Sequence, residues 1–292
     1  MLEKWLQQQD LHEVSTVLQV QHLTTSDAVD QHAAEQWLGQ DLLRNYVHPE
    51  ERALLEQTFR DLGQTALADH LISYKFPSDV KVRSGDFGEA LSGAWYRRAR
   101  RWCVPLLKLR YKHRPNQPVQ GVDFLAFRLR EDPPVVATPE VKTRLNKQLN
   151  VGVEAVASLQ GVLDDLPSSL QFAAARLLDR KIALGARLMT LLVAPYRVER
   201  HIVLVQDDAA WDERIVDRVA AQLTDRTEMS VIRLRDLRSM IGRAYSAAAT
   251  VAQARTDGRS AALPAPGSAP MASAALQTAA SSAAEASQTG AG

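Results

Sequence analysis

The chain has a single cysteine, Cys103. One thiol excludes an intramolecular disulfide and any zinc site built from cysteines, and it suits a reducing compartment. Long apolar runs are missing as well. Stretches such as residues 188–195 are far too short to span a bilayer, and the opening MLEKWLQQQD lacks the apolar core of a signal peptide. A cytoplasmic protein without a membrane segment is expected. The formal net charge is only +1, so bulk charge points to no partner. The seven histidines, at 12, 22, 32, 48, 70, 113 and 201, show neither H-x-H nor H-E-x-x-H spacing, which argues against a histidine-built metal centre. There is no G-x-x-x-x-G-K-[ST] loop, no G-x-S-x-G elbow and no G-x-G-x-x-G fingerprint. The chain therefore brings no P-loop ATPase of its own.

What is present suffices for a packed core, since 46% of 292 residues are hydrophobic. Residues 1–28 are poorly periodic. From Asp30 to Tyr46 apolar residues recur at steps of three and four, which predicts a helix. Pro49 with Glu50 and Glu51 predicts the start of the next, interrupted at Gly63 and resuming over 65–74. Residues 1–78 thus read as a helical N-terminal region, and 79–255 as the main domain. Residues 256–292 collapse to Ala, Ser, Pro, Gly, Thr and Gln, a composition that predicts disorder.

The chemistry concentrates between Ser84 and Lys142. Ser84-Gly85-Asp86 supplies N-cap chemistry, so a helix is expected to begin there with Glu89 on its first turn. Residues 104–112 alternate, which predicts a strand with Lys108, Arg110 and Lys112 on one basic face. Residues 122–129 predict a second strand carrying Asp123, and 135–143 a third carrying Glu140 and Lys142. Helices are expected over 145–163, 168–184, 211–223 and 236–254, and strands over 201–206 and 230–234. Pro139 interrupts the third strand, so a bulge or a sheet edge is expected there.

Adjacent strands lie about 5 Å apart, so Asp123 and Glu140 can share one cation. Mg2+ takes oxygen ligands, commonly one or two carboxylates plus water and substrate phosphate. Glu140 and Lys142 are two apart and face the same side of a strand. A cation and an ammonium on one surface suit phosphodiester hydrolysis. Between Glu89 and Asp123 there is no acidic residue, while Arg97, Arg98, Arg101, Lys108, Arg110, Lys112 and Arg114 all fall there. Such a stripe would hold backbone phosphates. The competing expectation is that Glu140 and Lys142 form a surface ion pair. If the Asp123 and Glu140 carboxylates point apart, or Lys142 is paired away from them, there is no metal site.

The order Glu89, Asp123, Glu140-x-Lys142 resembles the PD-(D/E)XK nuclease superfamily. Over residues 66–245, Gly85-Asp86-Phe87-Gly88-Glu89, Leu107-Lys108-Leu109-Arg110-Tyr111-Lys112, Gly121-Val122-Asp123 and Glu140-Val141-Lys142 resemble the HamA family, nuclease subunits of Hachiman anti-phage defence. The resemblance implies an α/β, restriction-endonuclease-like core: a central mixed sheet flanked by helices. It implies a deoxyribonuclease dependent on Mg2+ or Mn2+, with Asp123 and Glu140 as metal ligands and Glu89 and Lys142 completing the catalytic set. It further implies two partners, DNA and a separate helicase subunit that restrains the nuclease. The alternative is a non-catalytic module of the same fold that binds DNA or docks a helicase.

Overall fold

In the computed structural model, described residues are 1–254 except 65, 68, 69, 71–73 and 120. The segment expected to be a disordered tail, 256–292, lies outside them, as does most of the helix expected over 65–74.

Seven strands form one mixed sheet: β1 (Leu6–Gln8), β2 (His12–Ser15), β3 (Leu18–Thr25), β4 (Ala126–Arg128), β5 (Val135–Arg144), β6 (Arg197–Asp207) and β7 (Thr227–Leu234). Their order is β1-β3-β7-β6-β5-β4, with β2 also on β3. The central four, β3, β7, β6 and β5, are parallel. β1, β2 and β4 pair antiparallel at the flanks. Parallel strands need covered faces, and helices cover both. They are α1 (Leu2–Trp5), α2 (Gln31–Tyr46), α3 (Pro49–Asp61), α4 (Val80–Arg98), α5 (Val151–Asp164), α6 (Leu166–Asp179), α7 (Leu184–Thr190), α8 (Arg214–Ala220) and α9 (Leu237–Ala254). One core gathers Leu38, Phe87, Trp95, Ala137, Val141, Val203 and Ile241, from α2, α4, α9 and one sheet face. The other face is split. Ile202, Leu204, Ala155 and Ile215 pack under α5 and α8, and Val136 packs with Leu170 and Leu188 under α6 and α7.

The N-terminal region departs from expectation. It is helical only beyond Asp30; residues 6–25 are largely strand, and β3 is integral to the sheet through its parallel pairing with β7. Leu18, Val20 and Leu23 are fully buried there. Sheet pairing compensates for the weak pattern of 1–28, where Gln21 and His22 are buried beside the apolar residues and mask the alternation.

Three corrections bear on the site. α4 starts at Val80, capped by the Asp79 carboxylate, which accepts from the Lys81 and Val82 amides at 2.8 and 3.0 Å. Ser84 and Asp86 are therefore inside the helix, and Glu89 sits in its third turn, away from the N-terminal dipole. Residues 104–112 are not a strand. Cys103 makes a single bridge to Phe127, and Lys108–Tyr111 winds into a 3-10 turn. Consecutive Lys108 and Leu109 are both buried, which a half-exposed strand does not allow. The strand expected over 122–129 is only Ala126–Arg128, so Asp123 belongs to the loop before it.

β5 forms as expected, and Pro139 sits at a local edge. β4 covers only Val135–Ala137. The β5–β6 register runs unbroken through Pro139, paired with His201, so there is no bulge. Backbone groups of successive residues point to opposite sides of a strand, so those of residues two apart share a side. The Val141 amide points away from β6, and so does the imino nitrogen of Pro139 two residues earlier. The missing donor therefore falls where no neighbouring strand remains.

Candidate functional site

The candidate residues gather along that uncovered edge. The Asp123 carboxylate takes up the free edge donor, with Oδ2 accepting from the Val141 amide at 2.7 Å. Gly121, at φ +88°, turns the chain into the loop that delivers it, a conformation that favours glycine. Oδ1 of Asp123 accepts from Lys108 Nζ at 3.4 Å. Lys108 Nζ also stands 3.7 Å from Glu89 Oε2, too long for a hydrogen bond. That Oε2 atom is buried and has no hydrogen-bond partner.

Glu89 approaches from the α4 face of the sheet, with Lys108 between it and Asp123. Glu140 comes from the other face, the side of β5 that looks toward α5. Its Oε1 accepts from Lys142 Nζ at 2.7 Å, and Lys142 also donates to Ser158 Oγ on α5 at 2.9 Å. The order across the edge is thus Glu89, Lys108, Asp123, Glu140, Lys142, Ser158. Lys142 is paired within the site, not away from it. Among the described residues no three His, Cys, Asp or Glu side chains converge as a metal cage. Asp123 stands close enough to both Glu140 and Glu89 to raise their carboxyls by repulsion.

Charge in this cluster is short on the positive side. Burial pushes the Glu89 carboxyl well above the usual range; Lys108 opposes this, and repulsion from Asp123 and Asp86 adds to it. Glu140 is also raised, by burial and then by Asp123, against the pull of Lys142 and Lys108. Burial works against the Lys108 ammonium, but Glu89 and Asp123 outweigh it and raise its pKa.

Behind Glu89 lies a second network that the sequence reading did not anticipate. Asp86, one helical turn earlier on α4, accepts from Lys112 Nζ at 2.5 Å and from the Tyr46 hydroxyl. Tyr46 in turn meets the Tyr245 hydroxyl at 2.8 Å. The 3-10 turn is thus pinned by two lysines four apart, matched to two acids three apart on α4. The i, i+3 spacing of Asp86 and Glu89 was the available signal. α4 lies so close to β5 that a Cβ at Gly88 would stand 1.9 Å from Thr143 Oγ1.

The basic stripe does not form the strand face expected of it. Lys108 and Lys112 point inward, as above. Arg110 donates to the Arg44 carbonyl at 2.8 and 3.0 Å, and burial lowers its pKa to about 10. Arg97 reaches Asp41 at 3.4 Å, Arg98 lies 5.5 Å over the Trp37 ring, and Arg101 pairs with Glu3 at 3.2 Å. Arg114 is exposed. A cleft of about 780 Å³ opens beside the cluster and shares Lys108 and Asp123 with it.

Fold and site together define an α/β protein whose mixed sheet carries a buried carboxylate–lysine cluster at a strand edge. The HamA family model matches residues 1–245, and the chain belongs to the HamA family. That membership implies a role in Hachiman antiviral defence. No curated relative matches the chain. No helix among the described residues is long and apolar enough to cross a membrane.

Proposed function

We propose that the chain is a divalent-metal-dependent deoxyribonuclease of the Hachiman system, on a restriction-endonuclease-like core, working with a separate helicase subunit that restrains it. The observation that carries this is the placement of Asp123 on the Val141 amide of β5, close enough to Glu140 to raise its carboxyl, with Lys142 on the same face as Glu140. The donor set fits Mg2+ or Mn2+: hard carboxylate oxygens, too little positive charge nearby, and a buried Glu89 oxygen without a partner. Asp123 and Glu140 would hold the ion. When bound, it would supply Lewis acidity and a water of lowered pKa.

The chain's own groups do the remainder. Lys142 turns from Glu140 to a non-bridging phosphate oxygen, where its charge offsets what develops as water adds to phosphorus and the ester oxygen departs. Ser158 Oγ keeps the ammonium aligned along β5. Glu89 holds Lys108 against Asp123 and so positions that ligand.

The test is cleavage of DNA with Mg2+ or Mn2+ by the chain with its helicase partner. Glu140→Ala and Lys142→Ala should each lower the rate by about 100- to 1,000-fold while the complex still assembles. Full activity in either variant would sink the reading.

One observation favours the alternative. Asp123 and Glu140 already have lysine partners within the chain, so the cluster is held without a metal. On that reading the chain is a non-catalytic module that binds DNA or docks a helicase. Titration calorimetry with Mn2+ separates the two, since the module would take up no ion.

A further inference from the structure

The cleft beside the cluster has a wall that the chemistry above does not use. α6 presents Phe172 and Arg176 to it, and the 3-10 turn presents Tyr111. The rings of Tyr111 and Phe172 meet edge to face, with centroids 5.8 Å apart. The Arg176 guanidinium lies 5.6 Å from the centre of the first and 5.3 Å from the second. Its ion pair is a 3.4 Å contact to the exposed Asp179. Phe172 is 40% exposed, while Leu166, Leu170 and Leu177 on the same helix are buried. Ser169 also lines the cleft. It is buried, and its hydroxyl makes no hydrogen bond among the described residues.

These features describe a π-faced slot with an unused hydroxyl in its wall, and the exposed Arg114 follows His113 of its lining in the chain. A guanidinium stacked on aromatic rings occupies the position of a planar heterocycle. A pocket of 300–1,000 Å³ suits a ligand of nucleotide size. Because Asp123 and Lys108 line the cleft and also belong to the carboxylate cluster, a ligand in the slot is contiguous with the acids.

We propose that the slot between Tyr111, Phe172 and Arg176 binds one unpaired nucleobase of the substrate strand and so selects single-stranded over duplex nucleic acid. The inference rests on the nuclease reading and names the form of its substrate. The base displaces Arg176 from the rings and stacks on Phe172, with Ser169 Oγ at its polar edge. Freed, Arg176 pairs with the adjoining phosphate, and the strand continues past Asp123. A base held in a duplex is stacked and paired and does not reach into the slot.

The test uses the full chain carrying Glu140→Ala and Lys142→Ala, so that the probe is not cut. A short oligodeoxynucleotide with one 2-aminopurine is offered single-stranded and as a duplex, and affinity is read by anisotropy and stacking by fluorescence quenching. Phe172→Ala should weaken single-strand binding by about 5- to 150-fold, the range for loss of one base–aromatic stack. It should abolish the quenching and leave duplex binding unchanged. Phe172→Trp should restore both signals. Equal weakening of the two forms, no weakening, or a wild-type preference for duplex overturns the proposal. If the unsubstituted chain cleaves DNA with metal while Phe172→Ala behaves as wild type, only the slot is lost. If the chain neither binds nor cleaves nucleic acid, the nuclease reading falls with it.

Discussion

At the scale of single residues, the acid–lysine cluster is held together under electrostatic tension. Burial raises Glu89 and Glu140 above the ordinary carboxylate range. A carboxyl whose folded pKa exceeds its unfolded value takes up protons on folding. Its effect on stability is neutral below the unfolded pKa, about 4.3, and turns unfavourable as pH rises from there through the folded value. Glu89→Gln removes that penalty. Its melting temperature should exceed wild type at neutral pH, and the gap should close as the buffer is taken down toward about pH 4. A variant that melts below wild type at neutral pH would show that Glu89 stabilises the fold through Lys108 instead. At this scale the sequence was partly legible. Glu140 and Lys142 could be placed together because strand periodicity fixes residues two apart on one face. The fate of Lys108 and Lys112 was hidden. Their apparent alternation belongs to a 3-10 turn, and what draws them inward is a pair of acids on another element.

At the scale of elements, the contact between α4 and β5 sets the site's dimensions. Gly88 lets the helix backbone approach the strand until only hydrogen fits against Thr143. Gly88→Ala should lower stability by about 1–3 kcal/mol, the usual result of overpacking. Thr143→Ala in the same chain should recover most of that, because the nearest clash is with the threonine hydroxyl; chemical denaturation of the single and double variants measures both. Failure of the second change to rescue the first would place the strain elsewhere. α4 begins earlier than the expected residue because two cap signals lie five residues apart. Ser84-Gly85-Asp86 has the composition of a cap, but Asp79 makes the hydrogen bonds. Asp86 is instead spent on Lys112 and Tyr46, a role that depends on α2 and the 3-10 turn and leaves no local trace.

At the scale of the whole molecule, the N-terminal segment and the sheet are one object. β3 brings Leu18, Val20 and Leu23 into the core and covers β7 along seven paired positions, Leu18↔Thr227 to Thr24↔Arg233. Removal of residues 1–25 exposes that edge and opens both faces. The shortened chain should lose its cooperative thermal transition by circular dichroism. A transition unchanged in position would mean that the first three strands are an appendage after all. The strands β5, β6 and β7 and the larger helices could be expected from periodicity, since each carries its own apolar pattern. β3 could not, because its pairing is with a strand about 200 residues away, and β1 and β2 pair in turn on β3.

The edge of β5 carries one more consequence. A strand left uncovered on one side ordinarily invites another chain to zip onto it, the first step of self-association. Here the first free position is Pro139, which has no hydrogen to donate, and the next donor, on Val141, is already held by Asp123. The proline that looks like a defect in the strand thus removes the donor through which a second copy would begin to pair along this edge.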